Sequence, residues 1–130
     1  MNKLAIIHSE YYPEIIHNLL DGINKDIDNR FEVTTYKVPG SWDIPYKIKT
    51  LTKEYNIFIA VGVICKGETD HYEYISNSVA NGLINLSINN SVYIANCVLN
   101  VQNLDQAKKR ADKNNNKGSE AAKAINLLFT

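Results

Sequence analysis

The sequence predicts an α/β fold in which four parallel strands form a single sheet covered by helices on both faces. Three observations carry this expectation. Short apolar runs rich in β-branched residues alternate with longer segments whose apolar residues recur at helical spacing. The first and third strand runs are continuously apolar, as in strands buried on both sides. No hairpin signal joins consecutive strands, so each must return through a helix.

The first strand is Leu4-Ala5-Ile6-Ile7. Pro13 suits the first turn of a helix, where its missing N–H is no loss. Ile15, Ile16, Leu19, Leu20, Ile23 and Ile27 follow at helical spacing, and Asp28-Asn29 ends the element. A second strand runs from about Phe31 to Val38, Pro39-Gly40-Ser41 breaks it, and a short helix runs from about Pro45 to Lys53. The third strand, Ile57 to Ile64, is the most apolar stretch and belongs at the centre of the sheet.

A long helix starts near His71, with Ile75, Val79, Leu83 and Leu86 on one side and Ile84 and Ile88 on another. The second apolar side suits packing against a neighbouring copy. A fourth strand from about Val92 to Leu99 precedes a helix from about Leu104 to Ala111. The Asn114-Asn115-Asn116 loop then leads to a final helix carrying Ala121, Ala124, Leu127 and Leu128. Right-handed crossovers leave a flavodoxin-like three-layer sandwich as the natural topology.

The 130 residues form one domain, 1–130, with no repeat or linker. Hydrophobic residues make up 45% and the net charge is zero, which removes any global pull toward nucleic acid or an anionic membrane. Cys65 and Cys97 share no metal-ligand spacing with a histidine, and the opening apolar run ends at Ile7, too short for a signal peptide or a span. The expectation is a cytoplasmic protein with free thiols, no metal and no nucleic-acid or membrane partner.

Ligands of such sheets sit at the carboxyl ends of the strands. Four places qualify: Ser9 to Tyr12, Pro39 to Asp43, Cys65 to His71, and Asn96 to Asn100. In the third, Gly67, Glu68 and Thr69 lead into a helix N-terminus, a ready anion site. The competing reading is a capped helix, with Asp70 and Glu73 at capping-box spacing. Neither a nucleotide P-loop nor a dinucleotide fingerprint is present.

His71 opens that helix and is a candidate for proton transfer, against the alternative of an exposed structural histidine. Asp43 is either the cap of the helix that Pro45 begins or an acceptor for a polyol. Trp42 is core or an aromatic wall, and Tyr11 offers a ring face for stacking a flat heterocycle.

The stretch Val38-Pro-Gly-Ser-Trp-Asp-Ile-Pro45 and the stretch Gly62-Val-Ile-Cys-Lys-Gly-Glu-Thr-Asp-His-Tyr-Glu-Tyr74 resemble the two signature segments of the lumazine synthases. Asn103-Leu-Asp-Gln-Ala-Lys-Lys-Arg-Ala111, followed by Asn116-Lys117-Gly118, resembles their third. With the order of elements, the likeness covers the chain from Leu4 to Leu128.

The resemblance implies condensation of a ribitylamino-substituted aminouracil with a dihydroxybutanone phosphate to give 6,7-dimethyl-8-ribityllumazine, without cofactor or metal. Tyr11 would stack on the pyrimidine. Ser41 and Trp42 would line the ring and ribityl chain, with Asp43 bonding ribityl hydroxyls. Ile64, Cys65 and Lys66 lie on the substrate-contacting stretch. Glu68 and Thr69 would bind phosphate, and His71 would move protons. Arg110 would clamp the phosphate from a neighbouring subunit, with Lys117 nearby, in a pentamer or a multiple of pentamers.

Four departures stand out. Asp43 replaces a common glutamate, Glu68 a small residue, and Asn96 an aromatic ring that many relatives present from the adjacent subunit. The loop between Arg110 and Lys117 is one residue shorter. Rival readings are a superfamily relative that dismutates lumazine to riboflavin, a non-catalytic ligand-binding module, and a shell-forming subunit. A phosphate clamp argues against the first, and His71 with Lys117 against the second.

Overall fold

A computed structural model of the chain describes residues 2–67 and 71–130. Its elements alternate along the chain: β1 (Asn2–Ser9), α1 (Pro13–Asp26), β2 (Phe31–Val38), a 3-10 turn (Ser41–Asp43), α2 (Ile44–Leu51) and β3 (Ile57–Cys65). They continue with α3 (Tyr72–Asn90), β4 (Tyr93–Val101), α4 (Leu104–Arg110), the two-residue strands β5 (Ala111–Asp112) and β6 (Asn115–Asn116), and α5 (Lys117–Leu128). The four long strands pair in the order β2-β1-β3-β4, every ladder parallel. This is the flavodoxin-like sheet the strand pattern predicts.

Period-two alternation splits the core between the two faces of the sheet. Leu4, Ile6, Ile59 and Val61 pack with Ile15, Leu19 and Ile23 of α1 and Ile125 of α5. Ala5, Ile7, Phe58 and Ala60 pack on the other face with Ile44 and Ile48 of α2 and Val79 and Leu83 of α3. All nine residues of β3 are buried, as its unbroken apolar run requires. Each fully buried isoleucine or leucine contributes about 1.5–3 kcal/mol.

Three details differ from the sequence reading. A short antiparallel hairpin, β5–β6, occupies the Asn-rich loop where no hairpin was expected. It is fixed by tertiary contacts: the Asn116 side chain donates to the carbonyls of Asn18 at 3.0 Å and Ala111 at 3.3 Å and accepts from Ser119 N–H at 3.1 Å. Helix α5 buries Gly118, Ala122 and Ile125, whereas Leu127 and Leu128 are exposed. Small residues face α1 because the helices approach closely: a Cβ on Gly118 would lie 2.1 Å from the Leu19 carbonyl oxygen, and one on Gly22 would lie 2.1 Å from Asn116 Oδ1. Finally, β4 runs on to Val101, whose carbonyl receives the Lys66 N–H at 2.9 Å.

Helix α3 has the two-sided character its sequence suggests. Val79 and Leu83 are buried, while Ile84 and Ile88 are 54% and 69% exposed. Among the described residues no helix is long and apolar enough to cross a membrane.

Candidate active site

The carboxyl ends of β1 and β3 open into a cleft of about 360 Å³ lined by Tyr11, Tyr12, Gly40, Ser41, Trp42, Val63, Ile64, Cys65 and Ile75. Five of the sequence-selected residues, Tyr11, Ser41, Trp42, Ile64 and Cys65, therefore meet in one place. Tyr12 takes a left-handed backbone, φ 57°, at the cap of α1. The chain turns sharply there and leaves the Tyr11 ring 65% exposed at the cleft rim.

The opposite wall is the turn after β2. Gly40 N–H donates to Asp43 Oδ2 at 3.0 Å, so the carboxylate closes the 3-10 turn and makes no side-chain cap to α2. The capping reading of Asp43 is corrected in this respect, since its partner lies before the turn. Ser41 is buried against β3, where Gly62 leaves space for it: a Cβ on Gly62 would sit 2.4 Å from Ser41 Oγ.

Trp42 projects outward and stacks on Tyr74 of α3, ring centroids 5.9 Å apart at 22°. Trp42, Tyr74, Ile75 and His71 line an adjoining cleft of about 420 Å³. His71 stands at the N-cap position of α3, exposed and beside the indole wall. Lys66 is exposed and does not line the cleft in this chain. Glu68 and Thr69, with the Asp70 cap, lie outside the described residues.

Arg110, Lys117 and Asn96 gather elsewhere. A second cleft of about 420 Å³ runs along the edge strand β4 and is lined by Tyr93, Ala95 to Asn100, Arg110, Lys117, Glu120 and Ala121. Arg110, half-buried, comes from the last turn of α4, and Lys117 from the first turn of α5, where it pairs with Glu120 at 3.3 Å. Asn96 is exposed on β4, its Oδ1 accepting from Val98 N–H at 3.0 Å. Burial, reinforced by Glu120 and opposed by Lys117, pushes the Cys97 thiol up to about 12. The β4 cleft and the Tyr11 cleft share no lining residue.

Sequence reasoning assigned no role to Tyr74, although it stands three residues after His71 and so one helical turn along the same side. It included Tyr12 only as the end of the Ser9 to Tyr12 stretch, without a role, and it missed Ile75 as a lining residue and Glu120 as the partner of Lys117. That pair was legible at i, i+3 spacing, a common surface arrangement.

A family model described as 6,7-dimethyl-8-ribityllumazine synthase matches residues 1–129 of the chain. Among curated proteins, the 6,7-dimethyl-8-ribityllumazine synthase of Buchnera aphidicola subsp. Baizongia pistaciae is 42% identical over 128 residues, covering 92% of this chain and 80% of that protein. The proteins of the same name from Sphingopyxis alaskensis and Zymomonas mobilis are each 35% identical, covering 95% and 99% of this chain and 90% and 95% of theirs.

Proposed function

This chain belongs to the 6,7-dimethyl-8-ribityllumazine synthase family, the transferases that form the lumazine precursor of riboflavin, and we propose that its site is completed only between two subunits. It condenses 5-amino-6-(D-ribitylamino)uracil with 3,4-dihydroxy-2-butanone 4-phosphate. In this reading one subunit supplies the Tyr11–Trp42 cleft and His71, and its neighbour supplies Asn96, Arg110 and Lys117.

The roles follow from side-chain chemistry. Tyr11 stacks on the pyrimidine, Ser41 and Trp42 wall the ring and ribityl chain, and Asp43 meets ribityl hydroxyls. Ile64, Cys65 and Lys66 follow the substrate along the end of β3. His71 transfers protons as the amine adds to the ketone and the imine forms, typically a factor of about 10²–10⁴ in rate. The guanidinium of Arg110, with Lys117 and the Glu68-Thr69 segment, holds the phosphate as it leaves. Holding two substrates face to face supplies much of the remaining acceleration.

The observation that carries this reading is the separation of His71 and Arg110 into two clefts without a common residue, the second on an edge strand of the sheet. A pentamer or a multiple of pentamers, working in the cytoplasm, is the assembly we assign.

Subunit complementation tests it. His71→Ala and Arg110→Ala, each poorly active alone, are unfolded together, refolded as mixed oligomers and assayed for lumazine formation. Shared sites regenerate activity at about a quarter of the junctions, where intact His71 meets intact Arg110. Mixed oligomers no more active than the separate variants would overturn the shared site.

A further inference from the structure

Ser9 and Ser41 are both buried, and the hydroxyl of each has no hydrogen-bond partner among the described residues. Their places in the fold are related. His8 of β1 is registered with Val61 of β3, so Ser9 lies beside Gly62. Alternation puts Ser9 on the same sheet face as Ala5 and Ile7, and Gly62 on the same face as Ala60 and Ile64. Ser41 Oγ occupies the space over Gly62, 2.4 Å from where a Cβ would stand. Two buried hydroxyls therefore flank one glycine notch. Buried hydroxyls in native proteins find a partner, either another protein group or an enclosed water.

We propose that Ser9 is a positioning residue for the reaction: its hydroxyl and that of Ser41 are bridged over Gly62 by one enclosed water, and so set the gap between the aromatic walls Tyr11 and Trp42. Ser9 lies two residues before Tyr11, and Ser41 immediately precedes Trp42. The pair joins the end of β1 to the 3-10 turn, and Ser41 lines the cleft that both rings line. A fixed gap favours a flat heterocycle, since the walls need no ordering when the ligand enters. Neither hydroxyl is solvent-accessible, so Ser9 acts through Ser41 and the walls.

This inference rests on the Tyr11–Trp42 cleft binding the aminouracil. The test is a double-mutant cycle with Ser9→Ala, Ser41→Ala and the double variant, in the oligomeric protein. The readouts are KM for the ribitylaminouracil, kcat, and acrylamide quenching of Trp42, the single tryptophan of the chain. Each single variant should raise KM about fivefold, the equivalent of one hydrogen bond, with kcat less affected. The double variant should be no worse than either single one. Quenching of Trp42 should change in Ser9→Ala, although Ser9 lines neither cleft that the indole lines.

Additive effects on KM with unaltered quenching in Ser9→Ala would overturn the proposal. A wild-type protein that fails to bind the aminouracil would instead overturn the reading of the cleft, whatever the serine variants do.

Discussion

Gly40 and Asp43 hold each other at both ends of the turn that carries Trp42. The Asp43 N–H donates to the Gly40 carbonyl at 3.0 Å, and the Gly40 N–H donates to Asp43 Oδ2 at 3.0 Å. The carboxylate expected to meet the ribityl chain thus has one oxygen committed to its own backbone. A shorter acidic side chain is well matched to this, because aspartate three residues on reaches back where a longer side chain would project further outward.

Substituting Asp43 should therefore separate two jobs. Asp43→Asn keeps an acceptor for Gly40 N–H and loses only the charge, so folding stability should hold and KM for the ribityl substrate should rise modestly. Asp43→Ala opens the turn as well, and its catalytic efficiency should fall by about 10- to 100-fold, the range for a hydrogen bond to a charged group. Steady-state kinetics with thermal unfolding of both variants checks this. Asp43→Ala as stable and as active as Asp43→Asn would show that the turn does not depend on a side-chain acceptor for the Gly40 N–H.

The exposed side of α3 predicts an assembly defect. Replacing Ile84 and Ile88 together by glutamate places two charges on an apolar surface proposed to meet another copy. Sedimentation should show a smaller species whose helical circular dichroism is unchanged. Lumazine formation should fall with it, because the Arg110 half of the site would be missing. An undiminished oligomer would exclude this surface from the interface.

Gly118→Ala should be destabilising out of proportion to its size. The added methyl group would lie 2.1 Å from the Leu19 carbonyl oxygen, and a backbone atom in α1 cannot swing away as a side-chain tip can. A loss of about 1–3 kcal/mol is expected, seen as a melting temperature lower by several degrees. A melting curve superimposable on wild type would contradict the close approach of α1 and α5.

Alkaline pH should weaken the fold. The Cys97 thiol is raised from 9.0 to about 12, chiefly by burial, and Tyr36 from 10.0 to about 12, chiefly by its hydrogen bond with the Tyr55 hydroxyl. Both groups are held neutral in the folded chain. Their contribution is complete below pH 9 and is lost as pH rises toward 12, where the unfolded chain ionises first. Urea titrations at pH 8 and pH 11 should show the loss, and Cys97→Ala should reduce it. The folded protein should also resist alkylation at Cys97 at pH 8.

Much of this arrangement could be read from the sequence where local pattern and tertiary packing agree. The unbroken apolar run of β3 and the spacing of Ile15, Ile16, Leu19 and Ile23 in α1 left little choice of element or face. The pattern misled in α5, where Leu127 and Leu128 resemble core residues and Gly118 resembles a helix breaker. The buried face there is decided by a close approach of two helices, which favours the smallest side chain. The β5–β6 hairpin was illegible for a related reason, since Asn116 bonds Asn18 across most of the chain. In the site, strand ends located Tyr11, Ser41 and Trp42, because topology places ligands there. Arg110 has no such signal, and periodicity marks it only as a helix-end charge; its proposed partnership with His71 came through resemblance.

The side chain of Asn116 fills the room that Gly22 leaves bare, and Gly118 admits α1 beside it. These three positions consequently cannot drift one at a time. A larger residue at Gly22 requires a smaller one at 116, and that change deprives Ser119 N–H and two carbonyls of their partner. Divergence along this lineage should accumulate on the outer faces of α1 and α5, while the trio changes only as a set.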